Sequence, residues 1–338
     1  KIHGGILADR SKPEHLEDLE RQGIGQIDLV VSNIYPFVAE PSVEMIDIGG
    51  PTMVRAAAKN HDHVAIVVEP AAYPAVLAEL RDTGEVSLAT RRALARAAFA
   101  HTAAYDAAIV NWLDERELDD LDGKGDGDPL PKTLHLALDR VQDLRYGENP
   151  HQVGARYRHT HGAGWWDEAV QHGGKDLSYL NLYDTEAAWR LVHTLGDGPA
   201  VTVIKHANPC GVAVDDDITV AYQRAHECDP VSAYGGIVAI NRPVPASLAE
   251  ALAPVFTEVV VAPSYDDEAL AILTAKKNLR VLSAPPPNPA PLEVRSIDGG
   301  LLVQTADKVT VDRSQWRVVT KVAPTEDQWR DLELAWRV

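Results

Sequence analysis

The chain has 338 residues, room for about two domains of ordinary size, each able to bury its own core. Apolar residues make up 45% of it and no apolar run approaches the roughly 18 residues of a membrane span, which excludes the membrane-spanning class. A formal charge of -18 argues against non-specific binding to nucleic acid or to an anionic membrane surface, so an anionic substrate would have to meet a locally basic site.

The opening Lys1-Ile2-His3-Gly4-Gly5-Ile6-Leu7 has neither an initiating Met nor the long apolar region of a signal peptide and reads as mid-domain sequence. A buried-type strand is expected over Ile27–Ser32, a short helix after Pro51, and a second strand over Val64–Val68. Between them, Gly49-Gly50-Pro51 resembles a helix start: Pro51 suits the first helical position, and the two glycines leave backbone N–H groups open to an anion at the positive helix end. Arg55 and Lys59 follow at i,i+4 on one face, which reads equally well as an anion site or as a solvated basic face.

From Ser87 a long amphipathic helix carries Leu94, Ala98, His101, Tyr105, Ala108, Ile109 and Trp112 on one side, and His101 there reads as a packed core histidine. It fades into the acidic, Gly-rich run Asp119–Pro129, expected to be an interdomain linker; spaced Asp residues suggest a calcium loop, but the EF-hand order and its closing Glu are missing.

Beyond the linker a second series alternates strand and helix: strand Ala200–Ile204, helix Ile218–Cys228, strand Gly236–Ile240, helix Ala246–Val255, strand Glu258–Ala262 and helix Asp266–Lys276. That alternation predicts an α/β fold with a mostly parallel sheet, whose ligands would gather at the carboxyl ends of strands. Pro285–Pro291 reads as an extended connector, and Thr325 as the cap of a last helix through Trp329, Leu332 and Trp336. Cys210 and Cys228, far apart and outside any C-x-x-C, suit a reducing cytoplasm.

Two clusters carry chemistry. The strand ending at Ile204 runs into Lys205-His206-Ala207-Asn208-Pro209-Cys210-Gly211, which places an ammonium and an imidazole at a strand end. A histidine there can accept a proton from a weak amine nucleophile, and a lysine can stabilise an oxyanion growing on a carbonyl. A surface Lys beside a structural His is the competing reading. Upstream, Leu144–Gln152 sets the Arg145 guanidinium, the Tyr146 phenol and the His151 imidazole around a Gly and a Pro; the guanidinium suits phosphate or carboxylate, although an ordinary turn has the same composition. A dinucleotide fingerprint is not supported, since Gly23-Ile24-Gly25 lacks the third Gly and precedes its strand, and no Walker A sequence occurs. Pro209-Cys210 suggests a zinc deaminase, but Ala213 stands where the second Cys is needed and the His-x-Glu is missing.

The joint order of these segments resembles the bifunctional formyltransferase and cyclohydrolase family of purine synthesis. The resemblance rests on Ser32–Phe37, Asp47–Gly50, Arg55–Asn60, Leu144–Gln152, Asn181-Leu182 with Asp184, Lys205–Gly211 and Ser232–Gly236, and covers essentially the whole chain. It implies two domains: a methylglyoxal-synthase-like cyclohydrolase domain over 1–128 and a cytidine-deaminase-like α/β/α transformylase domain over 129–338, without zinc. By the same resemblance His206 takes the proton of the substrate's 5-amino group, Lys205 stabilises the formyl transition state and His151 assists. Arg145, Tyr146 and Asn181 bind substrate, Asn181 at the carboxamide. In the first domain Ser32, Asn33, Asp47, Ile48, Gly49 and Gly50 bind nucleotide, while Tyr35 and Lys59 serve ring closure. The implied formyl donor is 10-formyltetrahydrofolate, the implied assembly a cytoplasmic homodimer, and the implied partners small nucleotides, with neither nucleic acid nor membrane.

The sequence departs from the family's pattern at both ends. A Lys-Thr-Leu-His-Pro stretch and phosphate-gripping loops expected before Lys1, and a Ser-Asn segment with further site residues expected after Val338, are not in the 338 residues, so both sites are expected to be incomplete and the chain alone to have little activity. The competing functions are a nucleotide-binding fragment without catalysis and, more remotely, a zinc nucleobase deaminase.

Overall fold

The computed structural model describes residues 1–119, 130–290 and 292–338, so most of the expected linker Asp119–Pro129 lies outside the described residues. The chain divides into two compact units, residues 1–138 with 159–161, and residues 139–158 with 162–338. Among the described residues no helix is long and apolar enough to cross a membrane.

The first unit contains α1 (Ile2–Leu7), α2 (Pro13–Arg21), β1 (Leu29–Val31), α3 (Gly49–Lys59), β2 (Ala65–Val67), α4 (Tyr73–Thr83) and α5 (Leu88–Asp119). β1 and β2 pair in parallel, Leu29 opposite Ala65. β2 is buried on both faces, which explains why its residues read as a continuous apolar run rather than an alternation. Val54, Ala57 and Ala58 of α3, Ile66 of β2, and Ala95 and Ala98 of α5 share one core, so the small residues of α3 let helix and sheet approach closely. His101 is half-buried on α5, and burial holds its imidazole below the ordinary value, against the Glu69 carboxylate and with the His161 charge adding to the effect.

The second unit runs β3 (Leu138–Leu144), β4 (Gly154–His159), α6 (Trp165–Glu168), β5 (Val170–Gly173), α7 (Tyr179–Val192), β6 (Ala200–Lys205), β7 (Asn208–Val214), α8 (Ile218–Cys228), β8 (Gly236–Ile240), α9 (Ala246–Leu252), β9 (Thr257–Ala262), α10 (Asp267–Thr274), β10 (Arg280–Ser283), β11 (Leu292–Ile297), β12 (Gly300–Thr305) and α11 (Glu326–Arg337). Its centre is a six-stranded sheet in the order β5-β10-β9-β8-β6-β7. Only β10–β9 and β9–β8 are parallel; β5–β10, β8–β6 and β6–β7 are antiparallel, so the sheet is mixed and the mostly parallel expectation is corrected. The cause is local. Asn208–Val214, broken in sequence by Pro209 and Gly211, forms a strand after all and turns β6 back on itself as a hairpin. Pro209 is tolerated there because β7 is an edge strand.

Side chains alternate across this sheet between two cores. Val201, Val203, Val238, Ile240 and Val260 meet α8, α9 and α10 on one face. Ala200, Ile204, Ile237, Ala239, Val259 and Val261 meet α7 on the other, around the fully buried Trp189. Trp189 Nε1 donates to the Pro285 carbonyl at 2.9 Å, which ties the Pro-rich connector to α7. α11 starts as the sequence indicates: Thr325 Oγ1 accepts from Gln328 N at 3.3 Å, and Gln328 Oε1 accepts from Thr325 N at 3.0 Å.

Candidate functional site

Lys205 is the last residue of β6, paired with Asn208 of β7, and His206 and Ala207 form the two-residue turn between them. Lys205 is half-buried and its Nζ donates to the Tyr234 carbonyl at 3.0 Å, while His206 is exposed. The turn heads an open cleft of about 470 Å³ in the second unit. Arg145, Lys175 and Arg280 bring further positive charge to its walls, against the carboxylates of Asp184 and Glu258, and Leu180, Ile237 and Phe256 supply apolar surface. In a chain of net charge -18 this is a locally basic depression of the kind an anionic ligand requires. A smaller cleft of about 440 Å³ lies against the same Lys205-His206 turn, where Cys210, Asp229 and Ser232 form the wall. Burial, together with the Asp229 carboxylate, pushes the Cys210 thiol above its ordinary value against the opposing pull of Lys205.

The sheet's mixed direction determines which residues meet here. β8 runs antiparallel to β6, so the cleft lies at the carboxyl end of β6 and at the amino ends of β8, β9 and β10. Gly235 precedes β8, Glu258 is the second residue of β9 and Arg280 opens β10. Arg280 is 6% exposed, ion-paired with Glu258, and bonded weakly to the Asn278 and Asp176 carbonyls at 3.4 Å each. Gly235 has a left-handed φ of 75°, and an added Cβ on Gly236 would stand 2.8 Å from the Ile204 carbonyl oxygen, so both glycines are needed for the chain to pass beside β6.

Arg145 and Tyr146 line the cleft, the guanidinium 5.4 Å from the centre of the Tyr146 ring. The segment after them folds as a bonded turn: Gly147 N donates to Gln152 O at 2.8 Å and Asn149 N to Gln152 Oε1 at 2.7 Å. That turn carries His151 to an exposed position that is not part of the cleft wall. Asn181 is 8% exposed and lines the cleft, and its Oδ1 closes the capping box of α7 by accepting from Ser178 N at 3.1 Å, which leaves Nδ2 as its remaining polar group. Asp184, one turn further along α7, accepts from the His206 backbone N–H at 3.3 Å. Lys175, Glu258 and Arg280 escaped the reading of the sequence; for Glu258 and Arg280 the available signal was a lone charge at the start of an apolar strand run, and Lys175, in the bend after β5, carried none.

In the first unit, Ser32 and Asn33 follow β1, Ser32 N donating to Val67 O at 3.0 Å and Asn33 Oδ1 accepting from Tyr73 Oη at 3.3 Å. Asp47 is the hub of this group. Its carboxylate accepts from Gly50 N at 2.8 Å and from Tyr35 N at 3.4 Å, while its own N–H donates to Tyr105 Oη at 2.8 Å. Burial holds the Tyr105 phenol above its ordinary value and it donates onward to Met45 O at 2.7 Å. Two expectations are corrected here. α3 begins at Gly49, so Pro51 occupies its third position, and the Gly50 amide expected to await an anion already serves the Asp47 carboxylate. Ile48 is 74% exposed and the Tyr35 ring 53% exposed beside this loop. Lys59 lies in the last turn of α3, about 13 Å along the axis from Gly50, and Arg55 stacks over Phe99 at 5.5 Å. The structure therefore gathers Ser32, Asn33, Tyr35, Asp47 and Gly50, and sets Lys59 at the far end of the helix. Among the described residues no three His, Cys, Asp or Glu side chains converge as a metal site.

The family profile described as "AICARFT/IMPCHase bienzyme" matches residues 57–338. The bifunctional purine biosynthesis protein PurH of Bacillus cereus (strain AH187) is 46% identical over 349 residues, an alignment that takes in 100% of this chain and 66% of that protein. Among solved structures, the crystal structure of ForH is 38% identical over 32% of this chain and 60% of its own, with a TM-score of 0.29. The chain thus spans about 66% of the length of the curated relative it matches.

Proposed function

The chain belongs to the AICARFT/IMPCHase bienzyme family, and on that premise we propose that it carries the groups for formyl transfer to an aminoimidazole carboxamide ribonucleotide and for closure of the formylated product to inosine monophosphate. The observation that carries the reading is the Lys205-His206 turn at the head of a basic cleft that also holds Arg145 and Asn181. Residues 129–338 would be the transformylase domain, of cytidine-deaminase-like architecture without zinc, and residues 1–128 the methylglyoxal-synthase-like cyclohydrolase domain. A cytoplasmic homodimer is the accompanying proposal.

In the cleft, Arg145 and Lys175 offer charge to a phosphate, and the Asn181 Nδ2 offers a donor to a carboxamide oxygen. The 5-amino nitrogen attacks the formyl carbon of 10-formyltetrahydrofolate. A new N–C bond forms, the bond from the formyl carbon to N10 breaks, the amine proton passes to the His206 imidazole, and tetrahydrofolate leaves with a proton on N10. Lys205, held by the Tyr234 carbonyl, opposes the charge that grows on the formyl oxygen. In ring closure the carboxamide nitrogen adds to the new formyl carbon and water is lost; Tyr35 and Asp47 are the proposed contacts to the nucleotide, and Lys59 is the proposed proton carrier.

The test separates the two reactions. His206→Ala in the full-length enzyme is expected to lower formyl transfer by about 10²- to 10⁴-fold, the usual contribution of a general base, and to leave cyclisation of preformylated nucleotide unchanged. Near-wild-type formyl transfer by that variant would show the base to be assigned wrongly.

A further inference from the structure

The turn that presents His206 is strained backbone. His206 and Ala207 have φ of 54° and 57°, and among the described residues they are the only non-glycine residues in the left-handed region. A two-residue hairpin turn with both central residues left-handed favours Asn-Gly, because a Cβ in that region crowds the backbone. Neither His nor Ala has glycine's freedom or the short polar side chain of Asn, so contacts from outside the turn must hold it.

Two come from its own strands: Asn208 Nδ2 donates to the His206 carbonyl at 2.8 Å, and Lys205 is fastened to Tyr234. The third comes from α7. Asp184 is 9% exposed, its Oδ2 accepts the His206 backbone N–H at 3.3 Å, and its Oδ1 is buried with no hydrogen-bond partner. A carboxylate withdrawn from water around one long hydrogen bond is unfavourable, the more so where one of its oxygens finds no partner. Among the described residues the one group this carboxylate is bonded to is the His206 amide, so its contribution to the fold is made through that turn.

We propose that Asp184 is a positioning residue for His206: its carboxylate anchors the backbone amide of the strained turn and so fixes the imidazole at the head of the cleft. This rests on the reading of His206 as the proton acceptor. The anchor acts through the oxygen that meets the amide. Asparagine supplies the same acceptor. Alanine and leucine do not, although leucine fills the space. Glycine at position 207 removes part of the strain and with it part of the need for an anchor.

The experiment measures steady-state formyl transfer and thermal unfolding in the full-length enzyme. Asp184→Ala is expected to lower kcat about tenfold with KM within about twofold of wild type, since the loss falls on a group used in the transition state. Asp184→Asn should return kcat to within about threefold of wild type, and Ala207→Gly in the Asp184→Ala background should recover most of the loss. If Asp184→Ala does not fold, Asp184→Leu carries the same expectations. An Asp184→Asn variant as slow as the variants without an acceptor would overturn the anchor, as would a double variant with no recovery. Wild-type kcat in Asp184→Ala alongside an inactive His206→Ala would also overturn it while leaving the base assignment intact, whereas an active His206→Ala would defeat that assignment itself.

Discussion

Replacing Gly211 by alanine should break the seam between β7 and α8. A Cβ at that position would lie 1.8 Å from the Ala225 carbonyl oxygen and 2.9 Å from the Cys228 Cβ. A carbon and a carbonyl oxygen need about 3.3 Å, so the helix must retreat by about 1.5 Å, and the obstructing atom is backbone, which no rotamer change can move. Such a retreat draws Ala221, Tyr222 and Ala225 away from the core they share with Val201 and Val203 of β6. Overpacking by a methyl costs about 1–3 kcal/mol where neighbours can yield; with immovable backbone and an opened core we expect about 3 kcal/mol or more. In a unit of this size that corresponds to a fall in Tm of about 6–12 °C. Guanidinium and thermal unfolding followed by tryptophan fluorescence report on this unit, because every tryptophan except Trp112 lies within it. Gly300→Ala is the control, since a Cβ there meets nothing within 4 Å. A Gly211→Ala variant within about 0.5 kcal/mol of wild type, indistinguishable from the control, would refute the close-approach argument.

Lys59→Ala in the full-length enzyme is expected to slow cyclisation and spare formyl transfer, with stability lowered by no more than about 1 kcal/mol, because Lys59 is exposed in the last turn of α3; parallel loss of both activities would indicate a folding defect instead. His193 is held below its ordinary value by burial, with its bond to the Trp189 carbonyl opposing and the Arg242 charge adding. The folded state therefore refuses a proton that the unfolded chain accepts near pH 6.5, so this contribution to stability is present above about pH 6.5 and lost as the pH falls below it. Urea unfolding between pH 7.5 and 5.5 should show that decline, and His193→Gln should flatten it; an unchanged slope would assign the decline elsewhere. Arg280→Met should cost roughly 2 kcal/mol, less than a fully buried pair would because Glu258 is partly exposed, and pairing it with Glu258→Leu should recover most of the loss in a double-mutant cycle.

The elements of the second unit were legible wherever burial or capping chemistry was strong and local. Helix Ile218–Cys228 and strand Gly236–Ile240 are found at the residues their patterns indicate, the first opened by the Asp217 carboxylate accepting from Thr219 N at 2.7 Å. Asn208–Val214 was not legible, because Pro209 and Gly211 signal a turn and only its pairing with β6 makes it a strand. The Lys205-His206 pair was visible as polar residues closing an apolar run. Its partners Glu258 and Arg280 were not, since they stand at the beginnings of their strands, where the carboxyl-end rule for parallel sheets does not look.

What the sequence determined by itself, then, was which segments are apolar enough to be buried and which polar residues interrupt them, because solvation acts on each residue where it stands. Strand direction was decided only by tertiary structure: β6, β8 and β9 are buried on both faces, and a continuous apolar run looks the same whether its neighbour is parallel or antiparallel. Reversing β6 against β8 carries the end of one strand to the beginnings of three others and draws Glu258 and Arg280 to the Lys205-His206 turn. The left-handed backbone of that turn was likewise beyond the sequence, since neither His nor Ala prefers it; besides the neighbouring Asn208, it is held by Asp184, which only the folded chain brings alongside.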